Sequence, residues 1–168
     1  MRRTPAAIGS TIFFAAAPGT VAVLGPWWIS GWQARTPLPA GLMLPLRLGG
    51  AVLVLAGVAV LVHAFARFVG EGAGTPAPVA PPERLVVGGL YRHVRNPMYV
   101  ALLAAIIGQA MLFGRPGLLA YAAVVAVPVV AFVRWYEEPA LRRRFGADYD
   151  AYRAAVPGWL PRLRPYRP

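Results

Sequence analysis

Three long blocks of uncharged apolar residues set what this chain can fold into. Leu118 to Val133 reads LLAYAAVVAVPVVAFV, and Met98 to Phe113 reads MYVALLAAIIGQAMLF with one amide as its only strongly polar group. Leu48 to Val62 is also uncharged, and its helix extends from Leu46 to Val69 with Arg47, His63 and Arg67 near the ends. Segments of about 17–25 residues, rising about 1.5 Å per residue, cross a hydrocarbon core about 30 Å thick. An apolar content of 58% would suit a small soluble core or a membrane bundle. Its concentration in blocks, without amphipathic spacing, selects the membrane. The expected fold is an all-α polytopic membrane helical bundle of about four transmembrane helices, with a C-terminal amphipathic interfacial helix.

The remaining span is Ala6 to Ile29. Pro18-Gly19 interrupts it, and Arg2-Arg3 followed by a short apolar run and Ala15-Ala16-Ala17 has the look of a signal peptide. Apolarity nevertheless continues to Trp27-Trp28, a pair suited to the membrane interface, which favours a retained anchor. All seventeen basic residues are Arg. With four spans, only Arg35, Arg47 and Arg115 fall on one side, leaving fourteen on the other. That bias predicts an integral membrane protein with both termini and the active site on the cytoplasmic side, in the inner or plasma membrane if the chain is bacterial. The net charge of +11 then reads as topology plus attraction to anionic lipid headgroups, not as nucleic-acid binding. There is no Cys, which excludes thiol catalysis, disulfides and thiolate metal sites. With only His63 and His93, a histidine metal centre is not expected, and no metal ligands are assigned.

The chain divides into an N-terminal transmembrane pair (1–69), a Gly/Pro-rich cytoplasmic linker (70–87) and a C-terminal core (88–168). The linker stretch Gly70 to Pro82 is longer than a tight helix connection needs, so it can fold over a site. In contrast, Gly114-Arg115-Pro116-Gly117 predicts a tight turn and an antiparallel helical hairpin. That hairpin returns the polar residues before Pro97 and those after Tyr136 to one membrane face. From Pro139 onward, Leu141, Phe145, Tyr149, Tyr152 and Val156 form one apolar stripe at helical spacing, with Arg142, Arg143 and Arg144 on the remaining surface. Val156-Pro157 ends this helix.

Two polar clusters therefore become neighbours. One is Gly88 to Tyr99, where Asn96 is a plausible N-cap and Pro97 a first helical residue. The other is Glu137-Glu138. Adjacent carboxylates at a membrane boundary need a cationic answer. Arg134 and Arg142, three to four residues away, would supply it in a purely structural role. Alternatively, the pair holds a cationic or hydroxyl-rich ligand, and Arg92 and Arg95 beside a helix N-terminus receive a carboxylate. Of the residues within the spans, Gln109 reads as an interhelical hydrogen-bonding group, His63 as structural, and Pro128 as a kink that opens a cleft.

The run Gly-Leu-Tyr-Arg-x-x-Arg-Asn-Pro-Met-Tyr, a helical hairpin, then Glu-Glu-x-x-Leu-x-x-x-Phe-Gly-x-x-Tyr-x-x-Tyr and a terminal Pro, resembles the isoprenylcysteine carboxyl methyltransferase-like family and the related phospholipid methyltransferases. The likeness covers about Gly88 to Pro161 and includes Leu141, Phe145, Gly146, Tyr149 and Tyr152 in register. It departs where the family often has Arg-His-Pro and this chain has Arg95-Asn96-Pro97, which excludes an acid-base role for position 96. It departs again at Val86-Val87, where a Thr often precedes the Gly.

The resemblance implies an integral-membrane, S-adenosylmethionine-dependent methyltransferase acting on a lipid or lipid-like acceptor, either an isoprenylcysteine-like carboxylate or a phospholipid-like amine. It implies cofactor binding by Gly89, Leu90, Tyr91, His93, Arg95, Asn96, Pro97, Tyr99, Glu137 and Glu138, with Arg95, Asn96 and Glu138 at the catalytic centre. Two alternatives stand beside it. One is an NADPH-dependent membrane reductase resembling the sterol reductases, and the other is a non-catalytic membrane protein on the same scaffold.

Overall fold

A computed structural model describes residues 16–72 and 84–167, and the fold is all-helical among them. The start of the first span (Ala6 to Ala15) and most of the 70–87 linker, which was expected to fold over a site, lie outside the described residues. Helical chain from Ala16 passes through a π-helical turn, Thr20–Leu24, into α1 (Gly25–Ser30). Then follow α2 (Ala40–Gly72), a 3-10 turn (Gly89–Arg92), α3 (Pro97–Phe113) and α4 (Gly117–Phe132). A second π turn, Val133–Glu137, leads into α5 (Glu138–Phe145), and α6 (Ala147–Ala155) completes the helices.

Two stretches are long and apolar enough to cross a bilayer: Ala40–Arg67, and the continuous run Gly117–Phe145 through α4, the π turn and α5. At 28 and 29 residues they extend about 42–44 Å. The shorter apolar helix Pro97–Phe113 lies between them in sequence and extends about 25 Å. Only about a fifth of the two long segments is buried inside the protein, so their Leu and Val side chains face outward. In water that surface would be costly; in hydrocarbon it is the solvent-matched surface.

The principal packing is α2 against α3, with α4 joined to α3 by the expected hairpin. Lipid tails are as apolar as Leu, so helices in a membrane associate through close backbone approach at small residues. Gly50, Gly57 and Gly108 provide it here. A Cβ on Gly108 would stand 2.8 Å from the Gly50 carbonyl oxygen and 2.8 Å from the Val54 amide nitrogen. One on Gly57 would stand 2.9 Å from the Ala101 carbonyl oxygen. The hairpin turns at Gly114, whose φ of +62° ends α3 in a left-handed cap, and Pro116-Gly117 starts the return helix.

Where the first span enters, backbone polarity is answered by side chains from the bundle. Pro26 has no N–H, so Ala22 lacks its α-helical donor, and the Gly25 N–H goes to Thr20 in the π pattern. Gln109 donates to the Ala22 carbonyl at 2.8 Å and Tyr121 to that of Val21 at 2.9 Å. Gln109 thus has the interhelical role expected of it. Pro128 lies inside α4, and the π turn begins five residues later.

The C-terminal stripe folds differently from one continuous helix. Gly146, with φ +54° and ψ −126°, breaks it into α5 and α6. Tyr149, Tyr152 and Val156 turn inward and bury against Leu85, Val87, Leu141, Phe145 and Tyr166. The extended residues 85–87 alternate, as strand-like chain does: Leu85 and Val87 join this cluster, while Val86 joins Ala64 and Tyr91. The Tyr152 hydroxyl ties the two clusters together by donating to the Tyr91 carbonyl at 2.7 Å.

The α2–α3 contact predicts that Gly108→Val lowers the stability of the detergent-solubilised protein by about 1–3 kcal/mol, the usual cost of overpacking. Gly41→Ala, where a Cβ meets nothing within 4 Å, leaves it unchanged. Thermal denaturation monitored by circular dichroism checks both.

Candidate functional site

The site is assembled at one end of the α3–α4 hairpin, where three chain segments converge. The first is the 92–99 turn. Asn96 occupies the N-cap position and Pro97 the first helical residue, but the Asn96 side chain makes no capping bond. Its Nδ2 donates instead to the Gly158 carbonyl at 3.0 Å, and its backbone N–H goes to the same oxygen at 3.2 Å. The second segment is the π turn carrying Glu137, followed by Glu138 at the start of α5. The third is the tail after α6, which runs along the turn.

The tail is sewn on residue by residue. The Arg95 N–H donates to Pro157 at 2.9 Å, the Arg162 N–H to His93 at 2.9 Å, and the Tyr166 N–H to Arg92 at 2.9 Å. Side chains reinforce this pattern: Arg92 Nε donates to the Tyr166 carbonyl at 2.6 Å, and His93 Nδ1 lies 2.8 Å from that of Arg162. Because a carbonyl only accepts, His93 carries its proton on Nδ1 in this contact. Gly158 permits the close approach, since a Cβ there would sit 3.2 Å from Arg95 Nη2.

Arg95 is the hub. Its Nη1 donates to Glu138 Oε1 at 2.5 Å and to the Tyr149 hydroxyl at 3.2 Å, and its Nε donates to the Val156 carbonyl at 3.0 Å. The side chains of Arg95 and Glu138 are only 14% and 16% exposed, so the pair is poorly screened. Arg153, 46% exposed, approaches the other Glu138 oxygen at 3.4 Å. Glu137 looks elsewhere: its Oε2 accepts from the Tyr99 hydroxyl at 3.2 Å. Beside Tyr99 lies Trp159 of the tail, with ring centroids 6.5 Å apart and planes 36° apart.

The local pairing of Glu137 and Glu138 with Arg134 and Arg142 does not form. Arg142 instead bridges to Asp150 across the Gly146 break, at 3.0 Å. The physical reason is that break, which folds α6 back so that Asp150 reaches α5, while the hairpin supplies Arg95 from α3's end. The glutamates are thus answered by residues distant in sequence.

The structure also separates the residues singled out from the sequence. Arg95, Tyr99, Glu137 and Glu138 come together, with Asn96 and Pro97 forming the backbone beneath them. Tyr91 is core, packed with Ala64 and Val86. Gly89 backs onto His63 and Arg67, with its hypothetical Cβ 3.0 Å from His63 Nε2, and His93 is engaged with the tail. Leu90 accepts the N–H of His93 and is part-exposed in the 3-10 turn. Three side chains not singled out as site residues also stand here: Tyr149, Arg153 and Trp159. The stripe analysis marked Tyr149 as apolar surface only. For Trp159 the available signal was an aromatic set between Pro157-Gly158 and Pro161, which is a shaped loop and not a floppy end.

Burial raises the Tyr149 phenol above its ordinary range, and the Glu138 charge raises it further, against a lowering by Arg95. Burial likewise raises the Tyr152 phenol, again opposed by Arg95. Phenols raised in the folded state stabilise it fully below the unfolded value of about 10, and that stability is lost as pH climbs through the folded values. Stability is therefore expected to stay level in this respect up to about pH 10 and to fall above it, with Tyr152→Phe flattening the alkaline limb of a denaturation series. Breaking the central pair by Arg95→Met should cost about 3–5 kcal/mol, because Glu138 is left shielded from water. Arg95→Met combined with Glu138→Met should recover much of that loss in a double-mutant cycle.

No curated protein and no solved structure matches the chain. A family model described as phospholipid methyltransferase does match, over residues 46–148. The matched stretch holds α2 from residue 46 onward, the hairpin, Arg95, Tyr99 and both glutamates, whereas Tyr149, Arg153 and the tail with Trp159 lie beyond it. With more than half its length matched, this chain belongs to the phospholipid methyltransferase family.

Proposed function

We propose that this protein is an integral-membrane methyltransferase that uses S-adenosylmethionine to methylate a lipid or lipid-like acceptor. Its cofactor would bind where the 92–99 turn, Glu137-Glu138 and the tail converge. The observation that carries this reading is the meeting of Arg95 with Glu138, and of Tyr99 with Glu137, at the ends of outward-facing apolar helices within the family-matched stretch. The Arg asymmetry supports a cytoplasmic position for this face and for both termini. The 1–69 pair and the 70–87 linker would then serve acceptor access, while 88–168 forms the transfer centre.

The donor set fits such a cofactor. Glu137 and Glu138 suit an ammonium group or ribose hydroxyls, and Arg95 and Arg153 suit a carboxylate, by bidentate geometry in the best case. The cofactor brings the activated methyl group, a sulfonium substituent open to in-line displacement. What remains for the protein is alignment and exclusion of water. Tyr99 and Glu137 orient the face of the site next to α3, and Asn96, locked onto Gly158, fixes the tail that covers the turn. Asn96 carries no titratable proton, so its contribution is positional. Arg95 holds Glu138 in place. A carboxylate acceptor needs no base, whereas a protonated amine must first lose a proton, which Glu137, the carboxylate bonded to the Tyr99 hydroxyl, would accept.

The test is transfer of labelled methyl from S-adenosylmethionine to a total lipid extract by purified protein in nanodiscs. Label should enter the organic phase and fall about a hundred- to a thousandfold in Glu137→Gln, a loss typical of removing one fixed electrostatic partner. Label released by alkali as volatile methanol marks a carboxylate acceptor, and label that stays non-volatile after alkali marks an amine. No incorporation by folded protein, or equal incorporation by the variant, would contradict the proposal.

A further inference from the structure

The two adjacent glutamates differ in one respect that bears on ligand recognition. Glu138 is compensated twice, by Arg95 at 2.5 Å and Arg153 at 3.4 Å. Among the described residues Glu137 has only a neutral partner, the Tyr99 hydroxyl. A half-buried carboxylate without a counter-cation is costly, and the cost is recovered when a ligand cation arrives beside it. Tyr99, whose hydroxyl reaches that carboxylate at 3.2 Å, lies beside a second aromatic ring, Trp159, with ring centroids 6.5 Å apart.

Trp159 is also placed with care. The preceding residue, Gly158, accepts two hydrogen bonds from Asn96, and Pro157 accepts one from the Arg95 backbone. These contacts anchor the backbone immediately before Trp159, whose ring lies 6.5 Å from that of Tyr99. A sulfonium or quaternary ammonium centre has no N–H or O–H to donate, so conventional hydrogen bonding cannot recognise it. Aromatic faces combined with a negative charge can.

We propose that Glu137, Tyr99 and Trp159 together receive a methyl-bearing onium centre, the sulfonium of the bound cofactor, and that Trp159 is the residue by which the protein distinguishes the charged cofactor from its neutral demethylated product. This rests on the cofactor reading given above. It adds a specific consequence: product is released because loss of the methyl group removes the positive charge that these three side chains hold. Trp159 acts in binding selectivity, outside the family-matched stretch, and its role is separable from that of Arg95 and Glu138.

The experiment is equilibrium binding of S-adenosylmethionine and of S-adenosylhomocysteine to the full chain in nanodiscs, compared among wild type, Trp159→Phe, Trp159→Leu and Glu137→Gln, each shown to be folded by its thermal transition. Wild type should prefer S-adenosylmethionine. Trp159→Leu should reduce that preference roughly 3- to 25-fold, through weaker S-adenosylmethionine binding with S-adenosylhomocysteine little changed. Trp159→Phe should retain most of the preference, and Glu137→Gln should lose it. An affinity ratio unmoved by Trp159→Leu and Glu137→Gln, or equal weakening of both ligands, would overturn the inference while leaving the cofactor reading intact. Failure of folded wild type to bind either ligand would overturn both. A further arm titrates phosphocholine: if Trp159→Leu weakens phosphocholine binding and leaves the S-adenosylmethionine ratio intact, the onium belongs to a lipid headgroup and the assignment to the cofactor is wrong.

Discussion

The arrangement depends on one ion pair, Arg95 with Glu138, made across the end of a helical hairpin. Its partners come from the turn before α3 and the start of α5, forty-three positions apart in sequence. At 14% and 16% side-chain exposure neither charge is well hydrated, so each needs the other. Around the pair, Arg95 also takes the Val156 carbonyl and the Tyr149 hydroxyl, which brings α6 and the tail to the same point. Removing the pair would therefore loosen hairpin, helix and tail together.

The membrane imposes the second constraint. Backbone groups within hydrocarbon must find partners inside the protein. The irregular N-terminal segment, residues 16–30, meets the same demand through Gln109 and Tyr121, which answer the carbonyls left open by Pro26 and the π turn. Close approach at Gly50, Gly57 and Gly108 then lets α2 and α3 associate without a hydrophobic drive between them. The bundle in turn presents the second π turn, with Glu137 and Glu138, beside Tyr99 and Arg95. Polar chemistry is confined to one end, where the helices stop.

Much of this was legible from residue order alone. The apolar blocks, the tight Gly114–Gly117 turn and the interhelical use of Gln109 follow from hydrocarbon thickness, backbone breakers and the cost of a bare amide in lipid. The hairpin brings the Arg95 and Glu137-Glu138 clusters to one face because an even number of crossings must do so. What was not legible depends on long-range geometry. Helical spacing suggested Arg134 and Arg142 as partners for the glutamates, but spacing along one helix cannot register a guanidinium arriving from another. The stripe from Leu141 to Val156 carried the correct apolar face, yet Gly146 folded it in two and buried Tyr149 and Tyr152 against Leu85 and Val87. Trp159 was overlooked for the same reason: its place is set by Asn96 and Arg95, not by its neighbours in sequence.

The proposed function rests on a single junction, where methyl donor and membrane-borne acceptor would meet beside Arg95, Tyr99, Glu137 and Glu138. The most direct test of that location is ultraviolet cross-linking of tritiated S-adenosylmethionine to the protein in nanodiscs, followed by peptide mapping. The account predicts saturable label in peptides containing Tyr99, Glu137-Glu138 or Trp159, competed away by unlabelled S-adenosylhomocysteine. Saturable label confined to α1 and α2, or none on folded protein, would contradict it.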